Sequence, residues 1–304
     1  TYSDLERYTN RDGNITDNQV VYVVKDKKTG GDYDMGGFFV YDTSKTEKNV
    51  PGLELKSSST GHWKRINYEH INVKWFGVND SMSDNGDMIK AALDYGSRYN
   101  KALWFPAFDK DLLCSGVEIP SNTVIIGTNT RISASTENND SVFYIDGKSD
   151  ISIDHLIIDG KGKADTIRIK DSDNVKISKC TVKNSKKYGI ELLNCQKCTI
   201  LNNFILSNGD WGIKLYSNID DSYVTSYNIV SQNVINDNSG KYSYNNGQAE
   251  DGGINEHQND RDVGYNCIIG NVGQDGIISS VNDNTSMVTS VREGYNPYIG
   301  VSKS

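Results

Sequence analysis

Gly189-Ile190-Glu191-Leu192 and Gly212-Ile213-Lys214-Leu215 are two copies of one pattern, 23 residues apart. Gly253-Ile254 and Gly276-Ile277 keep the same interval, and Thr166-Ile167-Arg168-Ile169 stands one interval before Gly189. A second set of positions keeps step: Val175 and Ile177, then Cys198 and Ile200. A third set reads Cys180 and Val182, Asn203 and Ile205, Asn228 and Val230, Asn266 and Ile268. An earlier coil, from Phe143-Tyr144-Ile145 through Ile151, Ile153, Leu156 and Ile158, joins with a step of 24. A period of ~20–30 residues with three short alternating strands is the signature of a parallel β-solenoid. No LxxLxL pattern supports a leucine-rich repeat instead. Coils stack ~4.8 Å apart, so residues one period apart form columns. Alternation sends Ile190, Leu192, Ile213 and Leu215 inward. Asn203, Asn228 and Asn266 read as one column able to hydrogen-bond along the stack.

The flanks fit that core. Over residues 1–70, Val20-Val21-Tyr22-Val23-Val24 and Gly37-Phe38-Phe39-Val40-Tyr41 read as strands between glycine-rich turns, which predicts a small β-rich lead-in domain. The solenoid is expected over 71–304, with regular coils from about residue 141. Met88, Ile89, Ala92, Leu93 and Tyr95 fall at helical spacing after Asp84 and Asn85, either of which suits an N-cap. That predicts an amphipathic α-helix over about 85–99, laid across the open end of the tube to cover unpaired strand edges. Ala102-Leu103-Trp104-Phe105 and Thr123-Val124-Ile125-Ile126 read as strands stopped by Pro106 and Gly127. The interval breaks once, between Gly212 and Gly253, where about 18 extra residues enter around Asn236–Asp251. Insertions in a solenoid become loops over one face.

The 304 residues carry a net charge of −8, which argues against nucleic acid, whose phosphates need a basic face. No apolar run approaches the ~20 residues that cross a bilayer, so no membrane insertion is expected. No signal-peptide pattern opens the sequence. The core is aliphatic, with 7 Phe and 4 Met against 18 Tyr. Five cysteines at irregular spacing do not make a disulfide framework. Cys195 and Cys198 form a CxxC without a second pair or paired His nearby, so no metal or other cofactor is expected. Cys180, Cys198 and Cys267 read as small core residues.

Residues 30–135 carry a resemblance. Trp75-Phe76-Gly77-Val78, the turn Asn79–Asn85, the helix from Asp87, Trp104-Phe105-Pro106, Ile119-Pro120-Ser121-Asn122 and Val124-Ile125-Ile126-Gly127 succeed one another as in the pectate-lyase-3 family and phage tailspike depolymerases. Thr60-Gly61-His62-Trp63-Lys64-Arg65 and Gly36-Gly37-Phe38-Phe39 resemble the opening segment of tailspikes in particular. The usual GDG turn is replaced by Asn79-Asp80-Ser81, and the usual paired Asp by Asp84-Asn85. Both sites lie in the cap, where a structural role is expected. No polygalacturonase motif set is intact, so no catalytic residue carries over. The resemblance implies a right-handed single-stranded parallel β-helix and a homotrimer. It also implies a virion-tail protein, made in the bacterial cytoplasm and acting outside on a bacterial surface polysaccharide. Such spikes are usually longer, so this chain is expected to be a fragment or a short member.

Outward positions on the first strand of each coil form two columns. One runs Arg168, Glu191, Lys214, Asn255; the other runs Lys170, Leu193, Tyr216, His257. The turn before this strand adds Asp210 and Trp211, then Glu250 and Asp251, then Asp275. Glycoside hydrolysis needs two carboxyl groups, ~5–5.5 Å apart for retention or ~6.5–9.5 Å for inversion. Stacked coils can supply either separation. Asp210, Asp251 and Asp275 are therefore the first catalytic candidates, followed by Glu250, Glu191 and Glu256. Trp211, Lys214, Tyr216, His257, Arg168, Tyr242 and Tyr244 are candidate sugar contacts. Turn Asp residues also serve local hydrogen bonding, and Glu191 between Arg168 and Lys214 also reads as a weak surface ladder. Glu256 is predicted to point inward, so either its coil is distorted or its carboxyl is held protonated. Two other readings stay open: a lyase, using Lys214, His257 or Tyr216 as base, and a non-cleaving receptor-binding spike.

Overall fold

The computed structural model describes residues 5–7, 15–24, 36–44, 50, 52–57, 61–135, 141–217, 225–238 and 266–271, with strand backbone at 244–245, 248–249, 254–258, 272–273, 277–279 and 287–292. It is a right-handed parallel β-helix preceded by an antiparallel sheet. That first sheet runs, in spatial order, Val20–Val23, Gly37–Asp42, His62–Ile66, Glu54–Lys56. Arg65 ties this sheet to the first turn of the tube. Its Nε donates to Gly52 O at 2.6 Å and its Nη1 to Gly36 O at 2.8 Å. The guanidinium lies over the rings of Phe39 and Trp75, 4.6 and 4.1 Å from their centroids. Burying a charge this way is tolerated because carbonyls and ring faces replace its water.

Parallel stacking starts where Ile71–Asn72 pairs with Leu103–Phe105. One face of the tube is a seven-stranded parallel sheet that includes Ser141–Asp146, Asp165–Lys170, Ile190–Leu193, Ile213–Ser217 and Ile254–Gln258. The second and third strand sets join in a thirteen-stranded sheet, because early coils such as Ser149–Asp159 run through both without a break. Ile167, Ile190 and Ile213 stack in register and are fully buried, as the 23-residue repeat requires. Gly189 opens its motif because a β-carbon there would meet the carbonyl of Gly212 in the next coil. Corners are turned by single left-handed residues, such as Asn174 and Lys197 on one edge and Asn202 and Gln232 on another. Cys180, Cys195 and Cys198 are buried and unpaired. Burial pushes the Cys180 thiol up to about 12 and raises Cys195. They act as small core residues; Cys267 is only partly buried.

Three sequence expectations are corrected. The asparagine column is three ladders. Asn203, Asn233 and Asn271 form one, Asn228 and Asn266 a second, and Asn208 and Asn238 a third. Val230 stacks on Ile200 in the second strand set, and Ile235 stacks on Ile205 in the third. The misreading has a physical source: the insertion is split between two turns. Ile190 leads Thr199 by nine residues but Ile213 leads Ile229 by sixteen, and Phe204 leads Ile213 by nine but Val234 leads Ile254 by twenty. Finally, Gly127 does not stop its strand, which continues as Thr123–Ala134. A β-carbon at Gly127 would strike Leu156 and the His155 carbonyl, so glycine permits close passage of the next coil.

The helix, here α1, spans Gly86–Tyr99 and buries Ile89, Ala92, Leu93 and Gly96. It packs on the 3₁₀ turn Val73–Phe76 and on strands Leu103–Phe105, Val117–Glu118 and Thr123–Ala134. Asn85 holds the N-cap position, yet its side chain ties the cap to the coil. Oδ1 accepts from Asn79 N at 2.9 Å and Nδ2 donates to Leu113 O at 3.1 Å. Asp84 accepts instead from Gly86 N and Ser115 N, at 2.8 and 2.9 Å. Burial opposes its charge, but these bonds and the Ser115 and Ser135 hydroxyls hold its carboxyl below the usual range. Asn100 closes the helix in the left-handed conformation.

Asn233 tests the ladder. It accepts from Asn203 N and Nδ2 and donates to Asn271 Oδ1 and Ile200 O, all at 2.8–3.0 Å and fully buried. Asn233→Ala strands those partners, at ~1–3 kcal/mol for each unsatisfied buried group. Urea unfolding is expected to show a loss of several kcal/mol; an unchanged midpoint would remove the ladder from the stabilising interactions.

Candidate functional site

The seven-stranded face carries the chemistry. Its register places Tyr144, Arg168, Glu191 and Lys214 directly above one another, with Asn255 next in line. The neighbouring column is Asp146, Lys170, Leu193, Tyr216 and His257. The start of each strand and the residues before it contribute Asp165, then Lys187 and Tyr188, then Asp210 and Trp211.

Glu191 is the centre. It is 5% exposed although it points out of the tube, because its neighbours close over it. The Tyr216 hydroxyl donates to its Oε1 at 2.6 Å, and Arg168 Nε lies 3.1 Å from Oε2. This corrects the weak-ladder reading: a buried carboxylate with a phenol and a guanidinium is not a solvated surface pair. Glu191 also pushes the Tyr216 phenol, already raised by burial, well above its ordinary range. Lys214 caps the group. Its Nζ donates to Tyr188 Oη at 3.0 Å and sits 4.5 Å from the ring centroids of both Tyr188 and Tyr216. Burial lowers the Lys214 ammonium, against the opposing pull of the Glu191 and Asp210 charges. Burial, then the charges of Asp210 and Glu191, raise Tyr188 to about 12.

Asp165 supplies the second carboxyl. Its Oδ1 accepts from Lys187 N at 2.7 Å and Tyr188 N at 3.2 Å. Burial outweighs these bonds and, with the Glu191 charge, lifts its carboxyl to about 6. The face thus holds a carboxyl that stays protonated into mildly acidic solution beside a carboxylate matched to a cation and a phenol. Divergent environments of this kind separate acid and base roles. Beyond Arg168 and Lys170 the face opens into a pocket of about 470 Å³ that Tyr144 and Asp146 also line.

The sequence candidates divide accordingly. Glu191, Arg168, Lys214 and Tyr216 are brought together. Asp210 is 1% exposed, and its charge acts on Tyr188 and Lys214. Trp211 is also 1% exposed, which corrects its reading as a sugar platform. A stacking surface needs an open ring, and this one is closed off. Asp251, Asp275, Glu250 and Tyr242 lie outside the described residues. Tyr244, Glu256 and His257 are placed by strand backbone alone. Glu256 stacks on Leu215 and His257 on Tyr216, in unbroken register from Ile254 to Gln258. Sequence reasoning missed Asp165, Tyr188 and Tyr144. The period would have found the first two: Asp165, Tyr188 and Trp211 stand at successive 23-residue steps in the same turn. Among the described residues, no group of three or more His, Cys, Asp and Glu could hold a metal ion. No described helix is long and apolar enough to cross a membrane.

The family model of the right-handed β-helix region matches residues 114–240 and 165–299. No curated protein matches the sequence. Several solved structures share the fold. The enzymatically active domain of tailspike protein 2 from bacteriophage CBA120 is 14% identical, with a TM-score of 0.52 over 96% of this chain and 55% of that one. Tailspike gp49 of the Acinetobacter baumannii bacteriophage Fri1, a capsular polysaccharide depolymerase, is 11% identical, with a TM-score of 0.55 over 97% and 66%. WceF of Pantoea stewartii, a glycan biofilm modifying enzyme with a tailspike-like parallel β-helix, is 13% identical, with a TM-score of 0.56 over 100% and 53%. At these identities the likeness is one of fold. The chain spans little more than half the length of the first and last of them.

The charge arrangement is measurable without a substrate. In ¹³C spectra of the reductively methylated protein, Lys214 is expected to titrate below the bulk lysines. Glu191→Gln should lower it further, because the carboxylate stabilises the ammonium. A Lys214 resonance that titrates with the surface lysines and ignores Glu191→Gln would dissolve the cluster.

Proposed function

Within the right-handed β-helix family, to which this chain belongs, we propose that the protein is a tailspike-type depolymerase that cleaves a bacterial capsular or exopolysaccharide by glycoside hydrolysis. The observation that carries this reading is Glu191 held on the outer face between Arg168 and Tyr216, with the Asp165 carboxyl, at the start of the strand one coil earlier, near enough for the Glu191 charge to help raise it to about 6. Asp165 donates its proton to the glycosidic oxygen. Glu191 serves the anomeric carbon, as nucleophile or as base for the attacking water. Tyr216 and Arg168 hold Glu191 in place, and the Lys214 charge favours its ionised form. Among the neighbours in fold, a capsular polysaccharide depolymerase and a glycan biofilm modifying enzyme support the substrate class. Assembly as a homotrimer on a virion tail belongs to the same reading, through the resemblance over residues 30–135.

Asp165→Asn and Glu191→Gln, each folded by circular dichroism, are expected to lose about 100-fold or more in kcat on a polysaccharide the wild type cleaves. The raised carboxyl sets the sign of the pH effect. The proton on Asp165 is present below about 6 and lost above it, so wild-type activity should fall as pH rises through about 6. The residual activity of Asp165→Asn should lack that limb. New reducing ends should appear without ultraviolet absorbance. An absorbing, unsaturated product would replace hydrolysis by elimination, with the Lys214 amine, lowered by burial, as the base. Binding to the polysaccharide with no new ends and no absorbance would leave a receptor-binding spike.

A further inference from the structure

The pocket beside the carboxyl pair has its own chemistry. Its walls include Tyr144, Asp146, Arg168 and Lys170, with Ser115 and Ser141. Tyr144 is the sole aromatic residue among the described residues of this lining. Register stacks Tyr144 and Asp146, two coils before Glu191, under Arg168 and Lys170, one coil before it, so the pocket continues the catalytic strip along the tube axis. Both cations of the lining already face carboxylates. Arg168 Nε lies 3.1 Å from Glu191 Oε2. Lys170 Nζ lies 3.1 Å from Asp171 Oδ2 and 3.9 Å from Asp146 Oδ2. A sugar carboxylate entering here would displace one of these pairs and face the others as like charge. An uncharged pyranose meets neither difficulty. Its hydroxyls can donate to Asp146 and accept from the outer N–H groups of Arg168, whose side chain is 43% exposed. The Tyr144 ring offers a flat surface to its C–H face.

We infer that this pocket is a subsite for a neutral sugar residue, on the Tyr144 side of the scissile bond, and that it excludes uronic acids. The inference rests on the hydrolase reading for the position of the bond, but the pocket's preference is tested by binding alone. The full chain carrying Asp165→Asn, which leaves the Arg168–Glu191 pair intact, is titrated calorimetrically with neutral hexasaccharides of glucose, galactose, mannose and rhamnose, and with oligogalacturonate of equal length. At least one neutral probe should bind, and its affinity should change less than about twofold between low and high salt, since no net charge is matched. Tyr144→Ala and Asp146→Asn should each weaken it by about tenfold, while Tyr144→Phe retains it. Thermal melts exclude misfolding of the variants, whose side chains lie on the outer face. Preference for oligogalacturonate with salt-weakened affinity, indifference to Tyr144→Ala, or no binding by any neutral probe would overturn the subsite. Neutral-sugar binding with these variant effects, in a wild type that cleaves nothing, would uphold the subsite and sink only the hydrolase reading.

Discussion

Coil-to-coil hydrogen bonding is the constraint on which the rest of the molecule depends. Parallel pairing admits one register per face, and that register carries each residue onto its counterpart in the next coil. A residue type is therefore judged by its column. Isoleucine on isoleucine fills the tube without voids, as Ile167, Ile190 and Ile213 do. A buried asparagine has side-chain donors and an acceptor that point along the axis, so Asn203, Asn233 and Asn271 satisfy one another where a lone buried amide would be costly.

The same rule fixes where the chain can vary. Extra residues can enter only at corners, because one inserted within a strand would send every later side chain to the opposite face. Both segments of the insertion obey this: strand pairing resumes at Ile229 on Thr199 and at Ile254 on Ile213. The ends of the tube are the remaining weak point. Here α1 and the buried Arg65 act together, one covering the first coils and the other joining the antiparallel sheet to the cap through Trp75.

Legibility in the sequence has the same physical root. The first face could be read to the residue, because its glycine-led motif recurs at one interval and alternation alone decides in from out. The assignment of Asn228 failed because a residue count cannot tell which of two corners received the insertion, and both asparagine columns look alike in one dimension. Glu191, Arg168, Lys214 and Tyr216 were found from their columns. Asp165 was not, since a half-buried carboxyl at a strand start differs from any other Asp beside a turn only by the burial and the Glu191 charge that raise it. Trp211 misled for the converse reason. Its place before the strand is legible, but its near-complete burial depends on packing that a residue count does not show.

Stacking also dictates the electrostatics of the face. With coils ~4.8 Å apart, like charges in successive positions of a column would repel strongly. The column from Tyr144 therefore alternates: phenol, guanidinium, carboxylate, ammonium. Such alternation lets Glu191 be buried on an outward strand, since each neighbour above and below offsets its charge. It also leaves the proton on Asp165 as the mobile element of the strip, since burial and nearby carboxylates keep both phenols protonated. A face built this way positions one carboxylate and one carboxylic acid without drawing on long-range attraction. Recognition of the polymer then falls to shape, ring surfaces and matched hydroxyl contacts, which suits a protein whose overall charge is itself negative.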